Sequence, residues 1–284
     1  MRPVVQLHTI EQWFSVPKEV QEMVLKALKV KDRLWSFIMS KEHESKIPFE
    51  PHWAPCKRCE QTGWVFKYPR KAGIHPSAMF STCLLKIYYE AIGTEQQVVH
   101  EARSMLIFGL GTAIHGMFQN YGVAGAWGPS YTPEVAIGET PLAKSLMIEG
   151  HADADNILIV DEIAGAPIFE VGLVHEYKSI NDNGFKGLKG RPKPSHAQQA
   201  TVYSACLNRP IVVYFYLNKD NSNIEDFPVP FQPHIWDIMR KKAELVRDAV
   251  LTSTPPPGEF GYHCKQCSYE NQCPVASAAK SKKG

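Results

Sequence analysis

Three acids, a histidine and a lysine stand in this chain at spacings that suit chemistry on a phosphate ester. In chain order they are His115, Asp153 with Asp155, and Glu176 with Lys178. Side chains in a strand repeat every two residues, so each spaced pair shares one face of its strand. Carboxylates hold Mg²⁺ or Mn²⁺, which polarises a phosphate and lowers the pKa of a bound water. A neighbouring lysine orients that water or stabilises the developing charge.

A Glu-x-Lys pair on its own arises often by chance and then forms a surface ion pair. Here Leu173, Val174 and Ile180 flank the pair, which predicts a central strand. An acid and a lysine inside a sheet need a functional reason, because burying charge is costly.

The elements that position these residues predict an α/β core with a central mixed sheet flanked by helices. Helical spacing covers 17–40, 77–92, 95–121, 195–207 and 233–251, and strands are predicted at 145–148, 156–160, 167–171, 173–180 and 211–217. Residues 41–76 are punctuated by prolines and are expected to form an irregular insert. The predicted division is a helical N-terminal region with this insert, 1–76, and an α/β domain, 77–284.

Composition excludes some classes of protein. The net charge of +2 lacks the strongly basic balance of a histone-like binder. No apolar run approaches the ~20 residues that span a bilayer, and no export signal is recognised at the start, so a cytoplasmic protein without membrane contact is expected. No G-x-x-x-x-G-K-[ST] motif is present, so a helicase motor has to come from a partner.

In order and spacing, the motifs resemble the RecB-type branch of the PD-(D/E)xK nuclease superfamily, in particular its iron–sulfur members. These include the nuclease domain of AddB-type helicase–nucleases, CRISPR-associated RecB-like exonucleases and phage relatives. The matching elements are Gly111-x-x-x-His115, Gly150-x-x-Asp153, Glu176-Tyr177-Lys178 and Gln199-x-x-x-Tyr203. The resemblance extends from about Ser77 to Cys273, and it implies the restriction-endonuclease-like core of that superfamily.

The resemblance also implies roles for these residues. His115, Asp153, Glu176 and the backbone carbonyl of Tyr177 would hold the metal, with Asp153 preferred to Asp155 as the ligand. An imidazole ligand favours Mn²⁺ over Mg²⁺, because it is softer than a carboxylate. Lys178 would act on the water, and Gln199 and Tyr203 would steady that lysine or contact a DNA phosphate.

Cysteines at both ends of the chain form a second set of ligands. Cys264-x2-Cys267-x5-Cys273 offers only three thiolates, and Cys83 matches the fourth ligand of the family. Four such thiolates suit a 4Fe–4S cluster with a structural role. Zinc in the same site is the alternative.

The insert carries a further pair, Cys56 and Cys59, with His43 and His52 upstream. A small Zn²⁺ site that uses both cysteines and one or both histidines is predicted, against two free surface thiols. The resemblance does not extend to this insert.

The function expected from these features is a metal-dependent DNA exonuclease that acts on single-stranded or free DNA ends in recombination, repair or replication. Basic residues in the Gly/Pro-rich loop 181–194, Lys186, Lys189 and Arg191, are expected to follow the phosphate backbone. A helicase or recombination protein is the expected partner. The alternatives are a structure-specific or nicking endonuclease with the same site, and a non-catalytic iron–sulfur DNA-binding subunit.

Overall fold

The computed structural model describes residues 2–40, 71–81, 83–95, 102–161, 166–261, 264 and 267–276, without the side chains of 102–105. The strands are β1 (Val4–Leu7), β2 (Thr132–Ala136), β3 (His151–Val160), β4 (Ile168–Ile180), β5 (Ile211–Asn218) and β6 (Ile224–Pro230). The helices are α1 (Ile10–Ser15), α2 (Lys18–Ala27), α3 (Val30–Met39), α4 (Leu84–Ala91), α5 (Ala102–Val123), α6 (Pro141–Leu146), α7 (Asp182–Lys186), α8 (Pro194–Leu207) and α9 (Pro233–Leu251).

The strands form one mixed sheet in the order β2-β3-β4-β5-β6, and β1 pairs with the start of β4. The pairs β1–β4 and β4–β5 are parallel, and the other three are antiparallel. The 13-residue strand β4 is long enough to pair with β1 near its start and with β5 over its second half, both along the edge opposite β3. This central strand carries Glu176 and Lys178.

Helices cover both faces of the sheet, as the alternation of side chains in β5 shows. Ile211, Val213 and Phe215 point into one apolar cluster, which they share with residues of α2, α3 and α5. Val212 and Tyr214 point into the other, with residues of α4, α6, α8 and α9. Every residue of β5 is buried, as expected for a strand covered on both sides. The predicted α/β fold with a central mixed sheet between helices is confirmed.

Two predicted strand assignments are wrong. The stretch 145–148 was expected to be a strand, but Thr140 caps α6 by accepting a hydrogen bond from the Ala143 amide, and Pro141 begins that helix. The strands expected at 167–171 and 173–180 are one strand, β4. β4 runs through Gly172 without a turn. A side chain at Gly172 would collide with the His8 carbonyl. Close approach of two backbones explains this glycine.

The N-terminal region belongs to the same sheet as the rest of the described chain. Residues 17–40 form α2 and α3, and their buried side chains join the cluster that α5 makes with β5. β1 extends the pairing of β4. The division of the chain at 76 and 77 stays a prediction, and a break there would leave β1 across the boundary from its partner strand.

Candidate metal and phosphate site

The candidate site lies toward the carboxyl end of β4, between β3 and β5. In the parallel ladder Glu176 lies beside Tyr214, and Lys178 lies beside Tyr216. Residues that pair in register share a face of the sheet, so these four side chains form two adjacent rows. Ligands of open α/β sheets commonly bind beyond the carboxyl ends of parallel strands, and Lys178 lies two residues before the carboxyl end of β4.

Asp153 occupies the point where β3 leaves β4, since the last paired residues are Ala154 and His175. Its Oδ2 accepts a hydrogen bond from the Tyr177 amide at 2.6 Å, and its Oδ1 lies 3.3 Å from His115 Nδ1. The carboxylate therefore joins β3, β4 and α5. Burial lowers the pKa of His115, but hydrogen bonding and attraction from Asp153 outweigh it, and the net direction is upward.

Glu176 is fully buried, and the Lys178 ammonium contacts its Oε1. Its Oε2 accepts no hydrogen bond from the described residues. Burial raises the pKa of Glu176 to about 7, against the attraction of Lys178. Burial lowers the pKa of Lys178, but attraction from Glu176 and Asp153 moves it above its ordinary value.

These groups fit a hard divalent cation in their chemistry. Two carboxylates and an imidazole are suitable donors, and a cation would satisfy the buried Oε2 of Glu176. The amide and carbonyl of one strand residue point to the same neighbouring strand. The Tyr177 carbonyl is therefore directed, like its amide, toward the gap beside Asp153. As the described side chains stand, no three of the His, Cys, Asp and Glu groups are gathered closely enough to hold an ion.

Asp155 and Glu134 are the other acids of this region, and they differ in surroundings. Arg209 donates two hydrogen bonds of 2.6 Å to Asp155, a bidentate ion pair that joins β3 to the chain two residues before β5. Glu134 lies opposite Asp153 between two paired positions of β2 and β3, with a φ of 50°. The Gln119 amide connects the two residues by donating to the Glu134 carboxylate at 2.5 Å and to the Asp153 carbonyl at 3.4 Å.

Five buried rings, called here the aromatic cage, pack against one another on the face of the sheet opposite Glu176 and Lys178. They are Trp127, Tyr131, His175, Tyr177 and Phe215. The Tyr177 hydroxyl lies 2.8 Å from that of Tyr131 and 3.3 Å from His175 Nδ1. The His175 ring stacks on Phe215 and contacts Trp127, and its Nε2 has no hydrogen-bond partner among the described residues. Burial lowers the pKa of His175 to about 3, so the imidazole is neutral in the folded protein at ordinary pH.

This buried histidine predicts a loss of stability in acid. The unfolded chain takes up a proton near pH 6.5, and the folded chain does so only near pH 3, so stability falls as the pH drops between these values. At pH 5 the contribution is about 2 kcal/mol. We expect His175→Phe to flatten the fall in the free energy of unfolding measured with urea from pH 7 to pH 5. Tyr131→Phe, in the same cage, should keep the wild-type slope; equal slopes in all three proteins would contradict the assignment.

α8 brings the Gln199 and Tyr203 pair onto one helical face, where the Gln199 amide donates to the Tyr203 hydroxyl at 3.0 Å. Tyr203 is buried in the cluster on the Glu176 face of the sheet. One turn before Gln199 stands His196, which sequence reasoning missed. Its ring stacks on Tyr216, the neighbour of Lys178, and the positive charge of Lys178 acts on it.

The predicted basic loop contains a short helix. Asn181 caps α7 by accepting a hydrogen bond from the Gly184 amide, which corrects the expectation of an irregular 181–194. Lys186 forms an ion pair of 2.6 Å with Asp182 in the same helix. Lys189 and Arg191 follow it and are exposed, so these two remain directed at solvent near the end of β4.

The four predicted cluster cysteines line one cavity, although they come from opposite ends of the chain. Its walls include Leu85, Tyr89 and Tyr269. The cysteines are Cys83, Cys264, Cys267 and Cys273. Cys83 stands at the start of α4, and it is buried. The described cysteines form no disulfide, since all are free thiols.

The walls of this cavity are tied together by contacts outside the cysteines. The Tyr89 hydroxyl donates to the Gln272 carbonyl at 3.2 Å, and the Tyr89 and Tyr269 rings lie 5.4 Å apart. The Lys242 ammonium of α9 donates to the carbonyls of Met79 and Ser81, just before Cys83. Cys206 is buried in the core and does not line this cavity. The predicted zinc ligands Cys56, Cys59, His43 and His52 lie outside the described residues.

Solved structures that are similar to the chain include the following three. SSO0001 shares 16% identity, with a TM-score of 0.40 over 86% of this chain and 97% of its own. An alkaline exonuclease from Laribacter hongkongensis, LHK-Exo, shares 10% identity, with a TM-score of 0.46 over 64% of this chain and 90% of its own. The same exonuclease in complex with dAMP gives 11% identity and a TM-score of 0.47 over the same shares.

No protein-family model matches the sequence, and no curated protein matches it. Within the described residues, no helix combines the length and apolar character needed to cross a membrane.

Proposed function

We propose that this chain is a metal-dependent deoxyribonuclease of the RecB-type PD-(D/E)xK kind, which removes nucleotides from free, single-stranded DNA ends. One observation carries the proposal: Glu176 is buried in the central strand with Lys178 against it and with Asp153 and His115 within electrostatic reach. A structural ion pair would not require two further ligand-type groups at the point where β3 and β4 separate.

Four groups would hold the metal: the side chains of Asp153, Glu176 and His115 and the carbonyl of Tyr177. Mg²⁺ or Mn²⁺ bound there supplies Lewis acidity to a phosphate oxygen and acidifies a water molecule. The Tyr177 amide fixes the orientation of Asp153. The aromatic cage behind Tyr177 keeps solvent from the inner side of the site.

Lys178 acts in its charged form. Burial lowers the pKa of Lys178, but Glu176 and Asp153 raise it above its ordinary value, which favours the charged ammonium over a neutral base. Its ammonium is a donor that orients the attacking water and stabilises charge on the phosphate oxygens as the bond to phosphorus forms. As the bond from water to phosphorus forms and the bond to the leaving oxygen breaks, the water gives up a proton to solvent and the leaving oxygen takes one up from solvent.

The preference for single strands rests on the exposed Lys189 and Arg191 beside the end of β4. Such side chains follow a flexible phosphate backbone and read no base sequence. Lys186 contributes less, because Asp182 already pairs with it. A helicase or a recombination protein would supply the single strand.

The cysteine cavity supports a 4Fe–4S cluster as a second cofactor. Four thiols, which are the ligands such a cluster requires, line one space between α4 and the C-terminal segment. The cluster would join α4 to the C-terminal segment. Its role would be structural, and it would take no part in DNA cleavage.

The test of the proposed function compares one single-stranded DNA in linear and circular form, with Mg²⁺, with Mn²⁺ and with a chelator. We expect the linear form to be degraded to mononucleotides or short products with either metal, the circular form to persist, and the chelator to stop the reaction. Cleavage of the circle at a similar rate would establish an endonuclease. Binding without cleavage under all conditions would establish a non-catalytic DNA-binding subunit.

A further inference from the structure

A second histidine stands across Lys178 from the candidate metal ligands. His115 contacts Asp153 of β3, on one side of Lys178. His196 contacts Tyr216 of β5, on the other side. Tyr216 is the register partner of Lys178, so its ring lies directly beside the lysine row. The His196 ring is half-buried and stacks on Tyr216, with centroids 5.6 Å apart and planes inclined by 24°.

The Tyr216 hydroxyl makes two hydrogen bonds, and one of them is with His196. The Tyr216 hydroxyl oxygen accepts the Lys193 amide at 3.1 Å, and the same hydroxyl lies 2.8 Å from His196 Nδ1. A hydroxyl that already accepts a hydrogen bond has its own proton to donate. In the tautomer in which this hydroxyl donates to Nδ1, the imidazole proton is on Nε2, and His196 offers a neutral N–H donor there.

The charges around His196 are positive. Burial lowers the pKa of this histidine first, and Lys178 and Lys193 lower it further, to about 4. An uncharged donor in the field of two lysines is a suitable contact for an anion, because it adds a hydrogen bond without adding repulsion to its neighbours. Asp153 and Glu176, by contrast, act on the His115 side.

We propose that His196 Nε2 binds a DNA phosphate next to the one that is cleaved, on the β5 side of Lys178, and so positions the strand across the end of the sheet. The inference rests on the proposed nuclease function and names one of its substrate contacts. His196 is a binding and positioning residue and takes no part in proton transfer. Tyr216 positions the His196 ring by stacking and favours the tautomer with the proton on Nε2 by donating to Nδ1.

The experiment uses the full-length, metal-loaded protein and a dye-labelled oligothymidylate. The dissociation constant is measured with Ca²⁺ in place of Mg²⁺, and kcat and KM are measured with Mg²⁺. We expect His196→Ala to raise both the dissociation constant and KM about tenfold, with kcat within about twofold of wild type. His196→Gln, whose amide reaches to the position of Nε2, should recover most of the affinity, and Tyr216→Phe should show an intermediate loss.

His234→Ala is the matched control, since His234 is an exposed histidine near the start of α9. Unchanged affinity in His196→Ala relative to this control would overturn the inference. So would an equal loss in His196→Gln accompanied by a lower melting temperature, which marks a structural role only. If the wild-type protein binds the oligonucleotide but does not cleave it, the proposed nuclease function is refuted. The dissociation constants of the variants then still decide whether His196 contacts DNA. Failure of the wild-type protein to bind the oligonucleotide would overturn both.

Discussion

Lys178→Ala is expected to lower the rate of DNA cleavage about a hundredfold to a thousandfold, while the affinity for DNA stays close to that of the wild-type protein. Loss of a positioned donor at a developing charge commonly costs two to three orders of magnitude, and Lys178 also faces Glu176. Other contacts along the strand, at Lys189 and Arg191, remain. Initial rates with end-labelled single-stranded DNA and binding in Ca²⁺ measure the two effects separately.

Removing Lys178 also leaves the buried Glu176 without its partner, which can itself destabilise the protein by several kcal/mol. The double variant Glu176→Gln, Lys178→Met replaces the ion pair by neutral groups and is expected to fold and bind DNA without cleaving it. Lys18→Ala, at an exposed lysine of α2, is the control and should cleave normally. Near-normal cleavage by the folded Lys178→Ala protein would remove Lys178 from the proposed mechanism.

Sequence reasoning found the parts of the site whose signals are local. Apolar residues on both sides of Glu176 and Lys178 predicted a central strand, and β4 lies in the middle of the sheet. The four-residue spacing of Gln199 and Tyr203 predicted a shared helical face, and their side chains are hydrogen-bonded. The roles of these residues in catalysis or binding stay predictions.

The missed residues depend on partners far away in the chain. Asp155 resembled a second ligand because it alternates with Asp153, but Arg209, 54 residues later, pairs with it. His196 has an ordinary place in α8, and its position beside Lys178 follows only from the pairing of β4 with β5. Long-range pairing of this kind leaves no periodic signal along the sequence.

Two of the missed strands, β2 and β6, have a different cause. β2 and β6 contain Pro133, Pro228 and Pro230, and proline normally argues against a strand. Both strands lie at the edges of the sheet, where an absent amide leaves no ladder bond unmade on the open side. The alternation of apolar and polar residues in β2 and β6 was therefore too weak to predict strands before the order of the strands was known.

Serine in place of Cys83 is expected to remove the brown iron–sulfur colour and to lower the melting temperature by roughly 10 °C, for a loss of about 3 kcal/mol. The effect is large because Cys83 begins α4, whereas the other three thiols follow α9 near the end of the described chain. A cluster held by all four closes a long loop and stabilises only the folded state. Serine at Cys264, Cys267 or Cys273 should have the same effect, since each thiol lines the same cavity.

Cys206→Ser distinguishes the loss of a cluster ligand from the loss of a buried thiol. Cys206 is as buried as Cys83 but does not line the cavity, so the variant should keep its colour and its iron content. Measurement is by visible absorption and elemental analysis of protein purified without oxygen. Zinc in place of iron, lost on the same four substitutions, would assign the cavity to a single ion. Retention of iron and colour in Cys83→Ser would show that Cys83 is not a ligand of the cluster, and it would refute a site shared by the two ends of the chain.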